Sequence, residues 1–286
     1  MKRKKALENA VMIVFLLCGL IAVAFVLFIS VYLVISGVPA IHEIGLGNFL
    51  FGKVWSAGTE QFGILAFFLT SVYAMAGSLA IGIPVGIMTA VYLSKVAPPK
   101  AARVIHTAVE LLAGIPSVVY GLVGMIVLVP AIQKMFSLAS GACLLAAILV
   151  LAIMILPYII SVSETALRAV PREYEEASLA LGATEIETYF KVSLPAAKSG
   201  VAAAIIQGAG RAMGEAMAVM MVSGNVPNMP GLFKSVRFLT TAIVSEMSYA
   251  SYGSLQREAL FSIGLVLFLF IMMMNALLYL MKKERD

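Results

Sequence analysis

Residues 164–200 read ETALRAVPREYEEASLALGATEIETYFKVSLPAAKSG, the most charged stretch of a chain that is otherwise largely apolar. Its punctuation predicts two short helices joined by a sharp turn. Pro171 suits a first helical turn, where its missing N–H has no intrahelical acceptor to lose. Arg172 to Glu176 supply charge, Leu179 and Leu181 supply an apolar edge, and Gly182 permits the positive φ that ends a helix. Thr184 followed by Glu187 is a capping-box pattern for the second helix. Leu194-Pro195 is expected to break that helix and turn the chain away. The segment therefore reads as a rigid helical hairpin with its acidic side chains outward.

Working outward from the hairpin, the chain becomes apolar on both sides. Of 286 residues, 62% are hydrophobic and only 12% charged, with a mean hydropathy of +1.01. A soluble domain of this size needs far more polar surface, so the composition indicates a polytopic membrane protein. Six runs, 11–36, 63–94, 104–130, 141–163, 199–223 and 259–281, reach the length of about 20 apolar residues that a spanning helix requires. The hairpin joins the fourth and fifth. The first run follows KRKK, but it is longer than the roughly 7–15 residues of a signal h-region and has no small-x-small cleavage site, so it reads as a retained span.

Loop charges set an expected orientation. With the N-terminus cytoplasmic, 14 of the 20 basic residues, Arg285 among them, fall on the hairpin's side and five on the other, and Arg211 alone lies within a span. Both termini are then inside. The division expected is residues 1–62, comprising tail, first span and outer loop, and 63–286, a core of five spans that includes the hairpin at 164–198. In the outer loop, 37–62, Trp55 reads as an interfacial residue, and LFKSVRFLTTAIVSEM in the 224–258 loop suits a short helix lying on the membrane surface. The basic residues are dispersed among loops, which argues against nucleic acid. Cys18 and Cys143 lack metal-ligand spacing and read as packed, reduced side chains.

The hairpin resembles the EAA loop of ATP-binding-cassette importer permeases. Glu176-Ala177-Ser178, three residues, Gly182, nine residues, Val192, one residue and Leu194-Pro195 match that pattern at every interval, with Ser for its second Ala and Val for its Ile. The resemblance implies an all-α, six-span type I importer permease fold. It assigns Glu176, Ala177, Gly182, Leu194 and Pro195 to contact with a cytoplasmic ATPase. The chain has no GxxxxGK[ST] element, so ATP and Mg are expected on that partner and no cofactor on this chain.

Two further segments narrow the resemblance to phosphate importer permeases, especially the PstC-type subunit. One is Phe62 to Gly124, above all ELLAGIPSVVYG; the other is GRAMGEAMAV, Gly210 to Val219. The partners implied are a PstA-type permease, two copies of the ATPase, an extracytoplasmic phosphate-binding protein and membrane lipid, in a bacterial inner membrane. By the family match, Arg211 and Glu215 belong to the translocation path. On their own physics they are four apart, which puts them on one helical face with Gln207 a turn earlier. Arg211 lies about 18 Å of helix beyond Ser199, near the midplane of a core about 30 Å thick. A charge at that depth faces protein or a water-filled path. The alternative is a mutual ion pair that only positions the helix.

Pro116 disturbs the third span and, with Gly114 before it, is a candidate gate, leaving Ser117 and Tyr120 to offer hydroxyls. Pro84, between Gly82 and Gly86, reads as a kink or hinge. His106 and Glu110, also four apart, read as an internal pair, and Asn275 as an interhelical hydrogen bond. Gly210-xxx-Gly214 would admit a neighbouring helix. Rival readings are a permease for molybdate or sulfate, and a secondary transporter or channel working without an ATPase. An enzyme is disfavoured, because there is no His-rich cluster or nucleophile motif.

Overall fold

In a computed structural model, which describes residues 2–283, the chain is almost entirely helical. Arg285 lies outside the described residues. Helix α1 (Lys2–Ile44) runs into α2 (Leu46–Phe51), and a two-stranded ribbon, β1 (Trp55–Ser56) with β2 (Gln61–Phe62), leads to α3 (Leu65–Val91). Then come α4 (Pro99–Gly114), α5 (Ser117–Val123), α6 (Val129–Met135) and α7 (Leu144–Arg168). The hairpin holds α8 (Arg172–Ala180), α9 (Glu185–Thr188) and α10 (Leu194–Ala196). Beyond it lie α11 (Lys198–Gly214), α12 (Met217–Val222), α13 (Leu239–Glu246) and α14 (Leu255–Lys283).

Among the described residues, five helical runs are long and apolar enough to cross a bilayer: Val11–Ile44, Leu65–Val96, Ser117–Met135, Leu144–Arg168 and Leu255–Leu277. The expected span 199–223 is not one helix but two, α11 and α12, interrupted at Glu215-Ala216. The third span is likewise interrupted, at Ile115-Pro116, so its apolar run begins at Ser117 and not at 104.

Helix α7 is the centre of the packing, with Ala146, Ala147, Leu151, Ile155 and Ile159 all buried. Helix α3 reaches it through a small-residue stripe. A Cβ on Gly77 would come within 2.8 Å of Ile148, one on Gly82 within 2.8 Å of Ile155, and one on Gly86 within 2.6 Å of Ile159. Glycines at these points let the isoleucines seat against the α3 backbone, the usual route to close helix contact in lipid. Helix α3 is unbroken from Leu65 to Val91 through Pro84, so the flanking glycines serve packing. The first amide groups of α7 are capped from a distance: Leu144 and Leu145 donate to the carbonyls of Lys234 and Leu232 at 3.1 and 2.9 Å.

By contrast, α1 is exposed at every residue from 11 to 29 and joins the rest through its second half. There Ser262 donates to the Gly37 carbonyl at 2.5 Å, and Tyr32 packs edge-on against Phe261. Cys18 is on the exposed part and is not packed within the chain; Cys143 is buried and free.

The outer loops differ from expectation. Trp55 is buried against Phe62 and Phe67, and its Nε1 donates to Glu246 at 2.8 Å. A half-buried carboxylate acceptor 191 residues away, absent from any local reading, holds the indole inside the protein. Helix α13 is also not a surface helix: Leu239, Thr240, Thr241 and Ala242 are buried between α3 and α14. At its outer end Glu246 gathers Trp55, Gln256 and Arg237, and Arg237 also donates to the Asn225 carbonyl at 3.0 and 3.2 Å.

Candidate functional site

Two helix breaks position the site. In an unbroken α4–α5 helix the Leu112 carbonyl would accept the N–H of residue 116, which is proline and has none. The chain turns extended at Ile115 (φ −72°, ψ 127°), and the stranded carbonyl accepts the Tyr120 hydroxyl at 2.7 Å. At the second break Glu215 is extended too (φ −72°, ψ 130°). Its side chain folds forward, and Oε1 accepts the Ala218 N–H at 3.0 Å, satisfying one of the free N–H groups at the start of α12. Its carbonyl accepts the Thr240 hydroxyl of α13 at 2.6 Å. The segments after the breaks, α5 and α12, lie together, and a Cβ on Gly121 would come 2.9 Å from the Ala218 Cα.

The break separates Arg211 and Glu215. The single helical face expected for them is not formed, and neither is the alternative, a mutual ion pair, because the helix ends at Gly214 and the carboxylate turns to α12. None of the five ion pairs among the described residues involves Arg211. Its guanidinium lies over the Tyr158 ring, 4.6 Å from the centroid, a contact that steadies a cation without using its N–H donors. Its Nε is buried and has no hydrogen-bond partner among the described residues. Arg211 sits in the last turn of α11, where the helix carbonyls favour positive charge.

A cavity of about 470 Å³ opens on Arg211, lined also by Gln207, Glu215, Tyr158, Asn275 and the faces of Gly210 and Gly214. Among the described residues nothing lies within 4 Å of where a Cβ on either glycine would stand, so their bare surface belongs to the cavity and no described helix fills it. Gln207, Arg211 and Glu215 are thus brought to one cavity. Ser117 and Tyr120 are not: Ser117 opens α5, and Tyr120 lines a separate apolar cleft with its hydroxyl engaged by Leu112. Gly114 ends α4 and Pro116 precedes α5, at the first break.

Two cavity residues escape a reading by spacing. Tyr158 follows Pro157 within an apolar run, and only the packing of α7 on α11 turns its ring to Arg211. Asn275, expected to bond between helices, instead faces the cavity.

The hairpin follows its expected course with two changes. Gly182 has φ +86°, and the capping box forms: Thr184 Oγ1 accepts the Glu187 N–H at 3.3 Å, while Glu187 accepts the Thr184 N–H at 3.2 Å. Ser178 and Thr188 join the two helices through their hydroxyls at 2.9 Å. Glu176 and Ala177 are exposed, as are Leu181 and Ile186 at 90% and 68%, an apolar tip on a charged segment. The first change is that Leu194-Pro195 does not break the chain. A π-helical turn over Tyr189–Ser193 leads into α10, whose first turn accommodates the proline.

The second change is that Glu175 is not outward. It pairs with Lys95 and accepts the Ser193 hydroxyl at 2.8 Å, fixing the hairpin to the end of the second span. Partial burial pushes its carboxyl up, but hydrogen bonds from Lys95 and Ser193 and the nearby positive charges outweigh this and hold it below the usual carboxylate range. Nor do His106 and Glu110 pair. His106 Nε2 reaches Glu164 Oε1 at 3.1 Å, because Glu164 is buried and already drawn to that face by Arg168 at 2.8 Å.

Comparison with known proteins places these features. A family model described as the binding-protein-dependent transport system inner membrane component matches residues 82–284, which contain the hairpin, both breaks and the whole cavity lining. The chain is 39% identical over 269 residues to the probable ABC transporter permease protein YqgH of Bacillus subtilis, covering 91% of this chain and 87% of that one. It is 37% identical over 242 residues to the phosphate transport system permease protein PstC of Pasteurella multocida, with coverages of 78% and 75%. Among solved structures, an inward-facing form of the MetNI methionine ABC transporter aligns with a TM-score of 0.60 over 80% of this chain and 99% of that one. At 20% identity that likeness is one of fold. The chain belongs to the binding-protein-dependent transport inner membrane component family, the multi-pass permease subunits of ABC importers.

Proposed function

We propose that this chain forms the translocation path for inorganic phosphate in an ATP-driven importer. The observation that carries the reading is Arg211: a cation with a buried Nε that is unpartnered among the described residues, facing a cavity with two amides and one carboxylate. A cation is costly within a membrane protein's apolar segments, which makes an open donor there a functional feature. The planar guanidinium suits a phosphate oxyanion, and Gln207 and Asn275 add amide donors. Glu215, committed through Oε1 to Ala218, presents a carboxylate that accepts a proton-bearing phosphate oxygen and repels fully deprotonated sulfate. The relatives named PstC support phosphate over other oxyanions.

In the same reading, the exposed tip around Leu181 and Ile186 docks on a separate ATPase, two copies of which carry ATP and Mg. The Glu175–Lys95 pair passes its movement to the second span. A PstA-type permease completes the path on the side of Gly210 and Gly214, and an extracytoplasmic phosphate-binding protein delivers the anion. The test is reconstitution of the full complex and ATP-dependent uptake of phosphate, sulfate and molybdate. Arg211→Gln should lower phosphate uptake by about 100-fold or more, from the loss of charge-assisted hydrogen bonds, with assembly unchanged. Uptake at the wild-type rate in that variant, or equal uptake of all three anions by the wild type, would refute the assignment.

A further inference from the structure

The second helix break has no proline to enforce it. Glu215-Ala216 would continue helically if the Glu215 carbonyl accepted the N–H of Val219 and the Ala218 N–H returned to Gly214. Instead the carbonyl is taken by Thr240 at 2.6 Å and the Ala218 N–H by the Glu215 carboxylate at 3.0 Å. Within a membrane-spanning segment an open helix is tolerated only while its freed groups are satisfied by protein or a wet cavity. Thr240 is buried and lies on α13, which is itself clamped at both ends. The Leu239 N–H donates to Ser71 on α3 at 3.2 Å, and Glu246 is gripped by Arg237, Trp55 and Gln256. Helix α13 thus spans from the hydrogen-bonded network at the end opposite the hairpin to the backbone carbonyl of a cavity residue.

We propose that Thr240 is a positioning residue for transport: its hydroxyl holds the Glu215 carbonyl, keeps α11 and α12 apart, and so fixes the cavity with Arg211 and Glu215 unpaired. The proposal rests on the reading of that cavity as the translocation path. Without the hydroxyl, the carbonyl recovers a backbone partner by closing the helix. Closure brings residues 211 and 215 onto one face, where the carboxylate pairs with Arg211 and occupies its donors. Movement of α13 from the outer network would then open or close the anion site without any direct contact to the anion.

The experiment compares Thr240→Val, nearly isosteric but without the hydroxyl, with Thr240→Ser, which keeps it, in the reconstituted complex. Two quantities are read: ATP-dependent phosphate uptake and hydrogen exchange at the amides of residues 216–219. Thr240→Val should lower uptake about tenfold, the ratio set by one unsatisfied buried carbonyl, and slow exchange at those amides as the helix closes. Thr240→Ser should match the wild type in both. Wild-type uptake and exchange in Thr240→Val would overturn the proposal, as would lost uptake with unchanged exchange, or a Thr240→Ser protein that behaves like Thr240→Val. Failure of the path reading is separate: it would appear as wild-type uptake in Arg211→Gln, whatever the exchange at 216–219.

Discussion

At Ile115-Pro116 the helix is interrupted by a residue with no N–H, and the stranded Leu112 carbonyl is taken by Tyr120 from the next turn of the same span. At Glu215-Ala216 the interruption has no such cause, and the freed carbonyl is taken by Thr240 on another element. The first break is written into covalent structure and survives any rearrangement around it. The second exists only while tertiary contacts hold it. If, as proposed, α11 conveys movement from the hairpin to Arg211, it gains from the second kind, because a break held by hydrogen bonds can be closed by moving its partner. The fixed break beside it keeps α5 where α12 can pack, through Gly121 against Ala218.

Among changes at the two breaks, the largest expected effect comes from converting the fixed break into a breakable one. Pro116→Ala returns an N–H to position 116 and removes a helix penalty of about 3 kcal/mol, so the third span should close. Closure would rotate α5 away from α12. Thermal stability of the purified complex should rise or hold, while phosphate uptake falls by about tenfold or more, as expected when packing is lost at a two-helix contact. Uptake at the wild-type rate would mean that the two breaks are independent and the comparison has no mechanical content.

How far these features were legible in the sequence follows from the same contrast. The hairpin was readable because Pro171, Gly182 and the Thr184–Glu187 box act on neighbours a few residues away. Pro116 was readable for that reason too, and Arg211 because a lone cation in an apolar run is conspicuous. The shared face of Arg211 and Glu215 was misjudged because the i, i+4 rule presumes an unbroken helix, and the partner that stabilises the break, Thr240, is 25 residues away. His106 and Glu110 failed in the same way: a buried carboxylate on another helix, Glu164, outcompeted the local one. Trp55 had an apolar destination and an acceptor, Glu246, at a separation of 191 residues that no window spans.

A smaller effect is expected at Tyr120. Tyr120→Phe leaves the Leu112 carbonyl with the weaker Ile115 N–H contact at 3.3 Å, which should cost about 1–3 kcal/mol in unfolding stability. Pro116 still forbids closure, so phosphate uptake by the folded complex should be close to wild type. Loss of uptake without loss of stability would instead return Tyr120 to the list of groups that touch the anion.

The sharpest test of the comparison is Ser71→Ala. The substitution is nearly isosteric and removes the acceptor of the buried Leu239 N–H, bonded at 3.2 Å, for about 1–3 kcal/mol, the same range as Tyr120→Phe. It touches neither break directly. Its consequence is that α13 loses its inner anchor while the network at Glu246 remains, so Thr240 is held less firmly against the Glu215 carbonyl. If the second break depends on that hold, Ser71→Ala should reduce uptake by about threefold to tenfold, where Tyr120→Phe leaves it unchanged. The two variants should therefore be alike by thermal shift and differ by uptake. Equal uptake in the two variants would mean that each hydroxyl only stabilises the fold, and that the second break is as fixed as the first.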